Sequence, residues 1–111
     1  MGGGILPVAK HNGTYYLLFS RERLIHNKDR DRGKWSDFGG SREGRESQYQ
    51  TAVREGVEES SGILGKKQDV RNLIKHHLFV VLLDSNKIIL RLKIEKYVLK
   101  WQNYYCSTVQ I

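Results

Sequence analysis

Residues Gly39 to Ile63 read GGSREGRESQYQTAVREGVEESSGI, and the reading of this stretch decides the fold. It holds five of the twelve acidic residues in a chain whose net charge is +7. Ser47, followed three residues later by Gln50, matches a capping box, so a helix is predicted to start there. At 100° per residue, Tyr49, Ala52, Val53, Gly56 and Val57 share one arc, while Glu55, Glu58 and Glu59 fall on the opposite one. The expectation is a helix that buries an apolar face and turns a ridge of carboxylates outward. Like charges so close together favour a bound cation, and hard carboxylate oxygens suit a divalent one. Ser60-Ser61-Gly62 ends the helix, with Gly62 or Gly65 available for a left-handed cap.

The charge around this segment is uneven. Residues 21–34 carry six basic and three acidic groups, and residues 66–100 carry nine and three, whereas residues 39–62 carry three and five. An acidic centre framed by basic flanks suits a polyanion whose phosphates meet the carboxylates through a metal. Taken singly, each lysine is more often a solvated surface charge. At 111 residues the chain is expected to form a single domain over residues 1–111. The longest apolar run, Leu78 to Leu83, is too short to span a bilayer. Met1-Gly-Gly-Gly lacks the Ser or Thr that a myristoylation signal wants at the sixth position, where Leu6 stands. No secretory signal is visible, and the lone Cys106 has no partner within the chain, so a soluble, intracellular protein without a membrane partner is expected.

Ahead of the central stretch, residues 5–10 and 15–20 flank His11-Asn12-Gly13-Thr14, a strong hairpin signal. Pro7 cannot donate to a ladder, which places the first strand at an edge or makes it irregular there. Residues 21–34 read as a charged loop. Phe38 is expected to pack beneath the glycine pair, and Trp35 is open between packing and stacking on a base. After it, a basic connector leads to a continuous apolar run from His77 to Leu83, read as a fully buried strand. One of His76 and His77 is expected in the core, since neighbours on a strand face opposite ways. Asp84-Ser-Asn-Lys87 is turn chemistry, and Ile88, Leu90, Leu92 and Ile94 then alternate along a half-buried strand. In the tail, Tyr97, Val98, Trp101, Tyr104 and Tyr105 recur at helical spacing, although their residue types also suit a strand.

Gly40, five residues, Glu46, seven residues, Arg54-Glu55, then Glu58-Glu59 resembles the box of the Nudix hydrolase family. The resemblance implies an α/β fold, a Nudix-like mixed β-sheet flanked by helices, with only residues 97–111 left to supply the family's last elements. It implies Mg2+- or Mn2+-dependent hydrolysis of a diphosphate linkage in a nucleoside diphosphate derivative, with capped RNA as one such substrate. By position, Glu55, Glu58 and Glu59 become the metal ligands and catalytic carboxylates, Gly40 and Glu46 support the motif, and Arg54 holds the cluster by an ion pair. Basic and aromatic side chains from the flanks, Arg21, Arg23, Trp35 and Arg42, are expected to grip the nucleotide or RNA.

Gly56 stands where the family has an apolar residue, and Ser61 stands where it has glycine, with Gly62 one place late. These departures keep open a second reading, a Nudix-fold module that binds nucleotide or RNA without turnover.

Overall fold

The computed structural model describes residues 1–11, 13–21, 35–60, 62–84, 86–94 and 107–110. The chain order is β1 (Gly2–His11), β2 (Thr14–Arg21), β3 (Trp35–Ser36), β4 (Phe38–Ser41), α1 (Gln48–Glu59), α2 (Lys67–His77), β5 (Leu78–Asp84), β6 (Lys87–Lys93) and β7 (Ser107–Gln110). They form one mixed sheet with the backbone order β3-β2-β1-β6-β5, where β4 also pairs with β1 and β7 with β2. Of the loop read at residues 21–34, Arg21 ends β2 and residues 22–34 lie outside the described residues, as do Cys106 and the tail positions 97–105, open between helix and strand.

The first hairpin forms as its turn signal requires, with His11 paired to Thr14 and Gly13 at φ +78°. Its strands stay paired only as far as Val8 and Leu17. Beyond that point the segment 35–41 enters the fork. Ser36 pairs with Ser20 of β2, and Phe38 pairs with Ile5 of β1. On its other side β1 runs parallel to β6 from Gly2 to Val8. Of the two positions expected for this strand, the edge is wrong, because β1 is central; the irregularity is present on one side, where Pro7 pairs with neither β2 nor β4. Pro7 is tolerated because the alternate residues of β1 that face the β6 side are the even-numbered ones, as Gly2 N donating to Asn86 O and Val8 O accepting from Ile94 N show. By alternation Pro7 faces the other side, between the residues claimed by β4 and those claimed by β2, where no ladder donor is needed.

The capping box closes the start of α1. Gln50 N donates to Ser47 Oγ at 3.1 Å, and Ser47 N donates to Gln50 Oε1 at 2.8 Å. The helix lays Ala52, Val53 and Gly56 against the sheet, in a core shared with Ile5, Phe38, Leu90 and Leu92. An alanine Cβ at Gly56 would stand 2.6 Å from Ile5 Cδ1. Glycine there is thus a close-packing solution, in which helix and β1 approach within what a methyl group would occupy.

The stretch read as a basic connector is instead α2. Val70, Leu73 and Ile74 are buried at helical spacing, and Asp69 Oδ2 accepts a bond from Lys66 N at 2.9 Å. Lys67, Arg71 and Lys75, which obscured this pattern, occupy the solvent side. Lys75, His76 and His77 fall in the last turn, where the negative end of the helix dipole favours them. Both histidines are exposed, so neither takes the core position expected of one of them.

The apolar run is a strand from Leu78, but it is not buried. Val81 and Leu83 are 56% and 72% exposed, because among the described residues β5 is the last strand of the ladder and has β6 alone beside it. The register slips between Leu78 and Val80, a bulge of the kind that sheet edges carry. β6 behaves as its alternation predicts, with Leu90, Leu92 and Ile94 buried.

Candidate metal and phosphate centre

The loop between β4 and α1, and α1 itself, bring the acidic residues to one guanidinium. Arg54 is anchored on the helix with its side chain only 10% exposed. Its Nε and Nη2 donate to Glu46 Oε2 and Oε1 at 2.8 and 3.0 Å, a bidentate pair. Nη1 donates to Glu55 Oε1 at 2.9 Å and to Glu58 Oε2 at 3.2 Å, while Glu43 Oε1 stands 3.5 Å away. Nη2 also reaches the carbonyl of Ser41 at 3.0 Å, which ties the helix to the end of β4.

Glu46 closes the loop from the other side. Its Oε1 accepts from Glu43 N at 3.0 Å and lies 3.1 Å from the Thr51 hydroxyl. Arg54, followed by the Glu43 amide, lowers its pKa to about 2. The same bonds hold Arg54 firmly protonated. Glu55 is shifted the opposite way: burial raises its pKa, and the Arg54 guanidinium only partly offsets this.

Placement of Glu55 corrects the picture of an outward ridge. It is 9% exposed and sits against β4, whereas Glu58 is exposed and Glu59 half-buried. An arc drawn on an isolated helix does not register that β4 and the loop after it fold back over part of the polar side. Gly40 makes room for this. A Cβ there would lie 2.5 Å from Glu55 Oε1, so the carboxylate rests in a cradle that only glycine leaves open.

Among the described residues no three His, Cys, Asp or Glu side chains already stand as a metal-binding group. The donor set nevertheless fits Mg2+ or Mn2+. Glu55, Glu58 and Glu59 supply hard oxygens, one of them held in the glycine cradle. Glu58 and Glu59 also occupy the last turn of α1, which contains no basic residue. Anions at the negative end of a helix dipole are unfavourable, and a divalent cation would offset this. Such local conflict is characteristic of functional positions.

Of the residues expected to grip substrate, Arg21, Trp35 and Arg42 are among the described residues. Arg42 is exposed after β4, with its backbone N bonded to Met1 O at 2.8 Å. Arg21 and Trp35 are backbone partners between β2 and β3. Arg23 lies outside the described residues. Phe38 is fully buried, as expected. The Ser41 carbonyl and Thr51 were not legible as site residues: a carbonyl leaves no trace in residue type, and a mid-helix threonine carries no distinguishing signal.

A second charge pair lies on the face of the sheet opposite α1. Lys87 Nζ donates to Asp37 Oδ1 at 2.7 Å, linking β6 to the bend between β3 and β4. Asp37 Oδ2 is buried with no hydrogen-bond partner among the described residues.

No protein-family model and no curated protein sequence matches the chain. Solved structures do. A Nudix hydrolase from M. smegmatis, RenU, is similar over 99% of this chain and 68% of its own, with TM-score 0.63 and 15% identity. The Ap4A hydrolase of C. elegans is similar over 98% of this chain and 76% of its own, with TM-score 0.54 and 15% identity. With a mixed sheet, flanking helices and residues 40–62 on the loop and helix that gather the carboxylates, the chain has the Nudix fold.

Proposed function

We propose that the protein hydrolyses a diphosphate linkage in a nucleoside diphosphate derivative, with Mg2+ or Mn2+ held by Glu55, Glu58 and Glu59. The observation that carries this reading is the convergence of Glu43, Glu46, Glu55 and Glu58 on buried Arg54 beside the Gly40 cradle. Bound metal would screen the charge of the diphosphate and lower the pKa of the attacking water. Glu46 and the Ser41 carbonyl hold Arg54, and Arg54 in turn orients Glu55 and Glu58. Glu58, more than half exposed, is free to turn from Arg54 toward an incoming phosphate complex. Once the cation is present the burial penalty on Glu55 is relieved, and its carboxylate is available as ligand or proton acceptor. The reaction named for the C. elegans neighbour is hydrolysis of a nucleotide, within the same class. The net charge of +7 extends the candidate substrates to capped RNA.

A second reading, binding without turnover, draws on Glu55 and Glu58 both being engaged by Arg54 Nη1. One experiment separates the two. The protein is incubated with diphosphate-linked nucleosides and with capped RNA, under Mg2+ and then Mn2+, beside Glu58→Gln and Glu59→Gln. Metal-dependent product that disappears in both variants is the expected result. Equal product from the variants would remove the metal site, and retained binding with no product from any substrate would leave the binding module.

A further inference from the structure

Three cations take no part in the carboxylate network. Arg45 on the loop before α1, and Lys67 and Arg71 on α2, line a cavity of about 250 Å³ between the two helices. No ion pair among the described residues engages them. Lys67 and Arg71 stand four residues apart, so one helix face stacks two like charges, an arrangement unfavourable in an isolated helix. The cavity also contains Glu43 and Glu46, but both face Arg54, and both oxygens of Glu46 already accept bonds from it. A strongly charged anion is therefore the complement of the remaining groups.

The other wall is supplied by α1. Tyr49 belongs to the apolar arc by sequence, yet it is 41% exposed and lines this cavity above buried Val53. An aromatic ring beside three cations offers a stacking surface next to a phosphate site, and Gln50 adds an amide within the same lining. The volume sits below the usual range for whole drug-sized ligands, which suits one nucleotide unit rather than a dinucleotide.

We propose that the groove between α1 and α2, which borders the Arg54 network at Glu43 and Glu46 but includes none of Glu55, Glu58 and Glu59, is a second binding site for one phosphate-bearing nucleotide unit: phosphate on Arg45, Lys67 and Arg71, base against Tyr49. The unit comes either from a free mononucleotide or from an RNA chain. This site does not depend on turnover at the carboxylates.

The test is titration of the full chain in EDTA, which silences any metal-dependent binding. AMP, adenosine, inorganic phosphate and a short oligoadenylate are the probes, with amide chemical shifts as the readout. Saturable shifts clustered on residues 45–53 and 67–71 are expected for AMP, the oligoadenylate or both, and this pattern names the source. Arg71→Glu should weaken phosphate-bearing probes by about tenfold or more. Lys75→Glu, with the same charge change on an exposed position of α2 outside the cavity, should leave affinity nearly intact. Tyr49→Ala should weaken AMP by about tenfold while sparing inorganic phosphate. Equal losses in Arg71→Glu and Lys75→Glu, adenosine binding as tightly as AMP, or no saturable shift with any probe would each overturn the proposal.

Discussion

Replacing Gly40 with alanine tests how the candidate centre is built. The backbone of Gly40 lies in β4 and is not among the positive-φ glycines, so alanine meets no conformational barrier there. What it meets is Glu55: the new Cβ would stand 2.5 Å from Oε1, 2.7 Å from Cδ and 3.0 Å from Oε2. Ordinary contact begins near 3.4 Å, so the carboxylate must retreat by roughly 0.9 Å. A retreat of that size weakens the Arg54 Nη1 bond, a charge-assisted contact in a buried setting, at a cost of about 1.5–3 kcal/mol. The smaller entropy of the unfolded alanine chain returns about 0.4–1 kcal/mol, leaving a net destabilisation of about 0.5–2.6 kcal/mol. Function should suffer more than stability, because a ligand misplaced by about 1 Å costs about a hundredfold in turnover. Thermal unfolding with and without Mg2+, together with initial rates on the substrate found in the panel, measures both. Gly39→Ala is the contrasting variant. Its Cβ would point to the opposite face, 2.8 Å from Gly4 Cα and from Lys87 Nζ, so it should destabilise the sheet while leaving the metal response of the folded fraction intact. If Gly40→Ala keeps wild-type rates and the full Mg2+-induced stabilisation, the cradle does not position Glu55 and the reasoning fails.

Further outcomes follow from the same contacts. Gly56→Ala should lower stability by about 1 kcal/mol, since overpacking Ile5 outweighs the better helix propensity; pairing it with Ile5→Val should restore much of the loss in urea unfolding, and strict additivity would argue against the contact. Lys87→Met leaves Asp37 buried without its cation and should cost about 2 kcal/mol, whereas Lys87→Met with Asp37→Asn should cost clearly less; equal losses would show that the pair is not coupled. Glu46 has a folded pKa near 2 against an ordinary 4.5. The unfolded chain therefore binds the proton more readily, and the stability Glu46 contributes is complete above about pH 4.5 and lost as pH falls toward 2. Glu46→Gln should flatten that acid limb in a stability-versus-pH series, and an unchanged limb would count against the Arg54 bridge. In Glu55→Gln the burial penalty on the carboxylate disappears, so the metal-free variant should melt no lower than wild type at neutral pH yet gain nothing from added Mg2+; a wild-type gain would exclude Glu55 as a ligand.

By itself, the sequence determined the local elements whose causes lie within a few residues. Ser47 and Gln50 close the cap of α1 with each other, and Asn12-Gly13 specifies the first hairpin between strands that need nothing else to find their register. The alternation from Ile88 to Ile94 predicts which side of β6 is buried, and the box spacing brings Arg54, Glu55 and Glu58 within reach of one another because they share one helix. Tertiary structure decided what depends on neighbours distant in the chain. The parallel pairing of β1 with β6 and the insertion of residues 35–41 between β1 and β2 make β1 central despite Pro7. The last place in the ladder exposes β5 despite its apolar run, because burial of a strand is set by what lies beside and above it. α2 was readable in Val70, Leu73 and Ile74, but six charged or amide side chains among them masked the period. For the opening stretch, the sequence supplied the carboxylates and their arginine, whereas β4, folding Gly40 against the helix, decided that Glu55 would be enclosed while Glu58 faces solvent. A side chain's identity fixes what it can bind; the packing around it fixes what charge it carries and where it points.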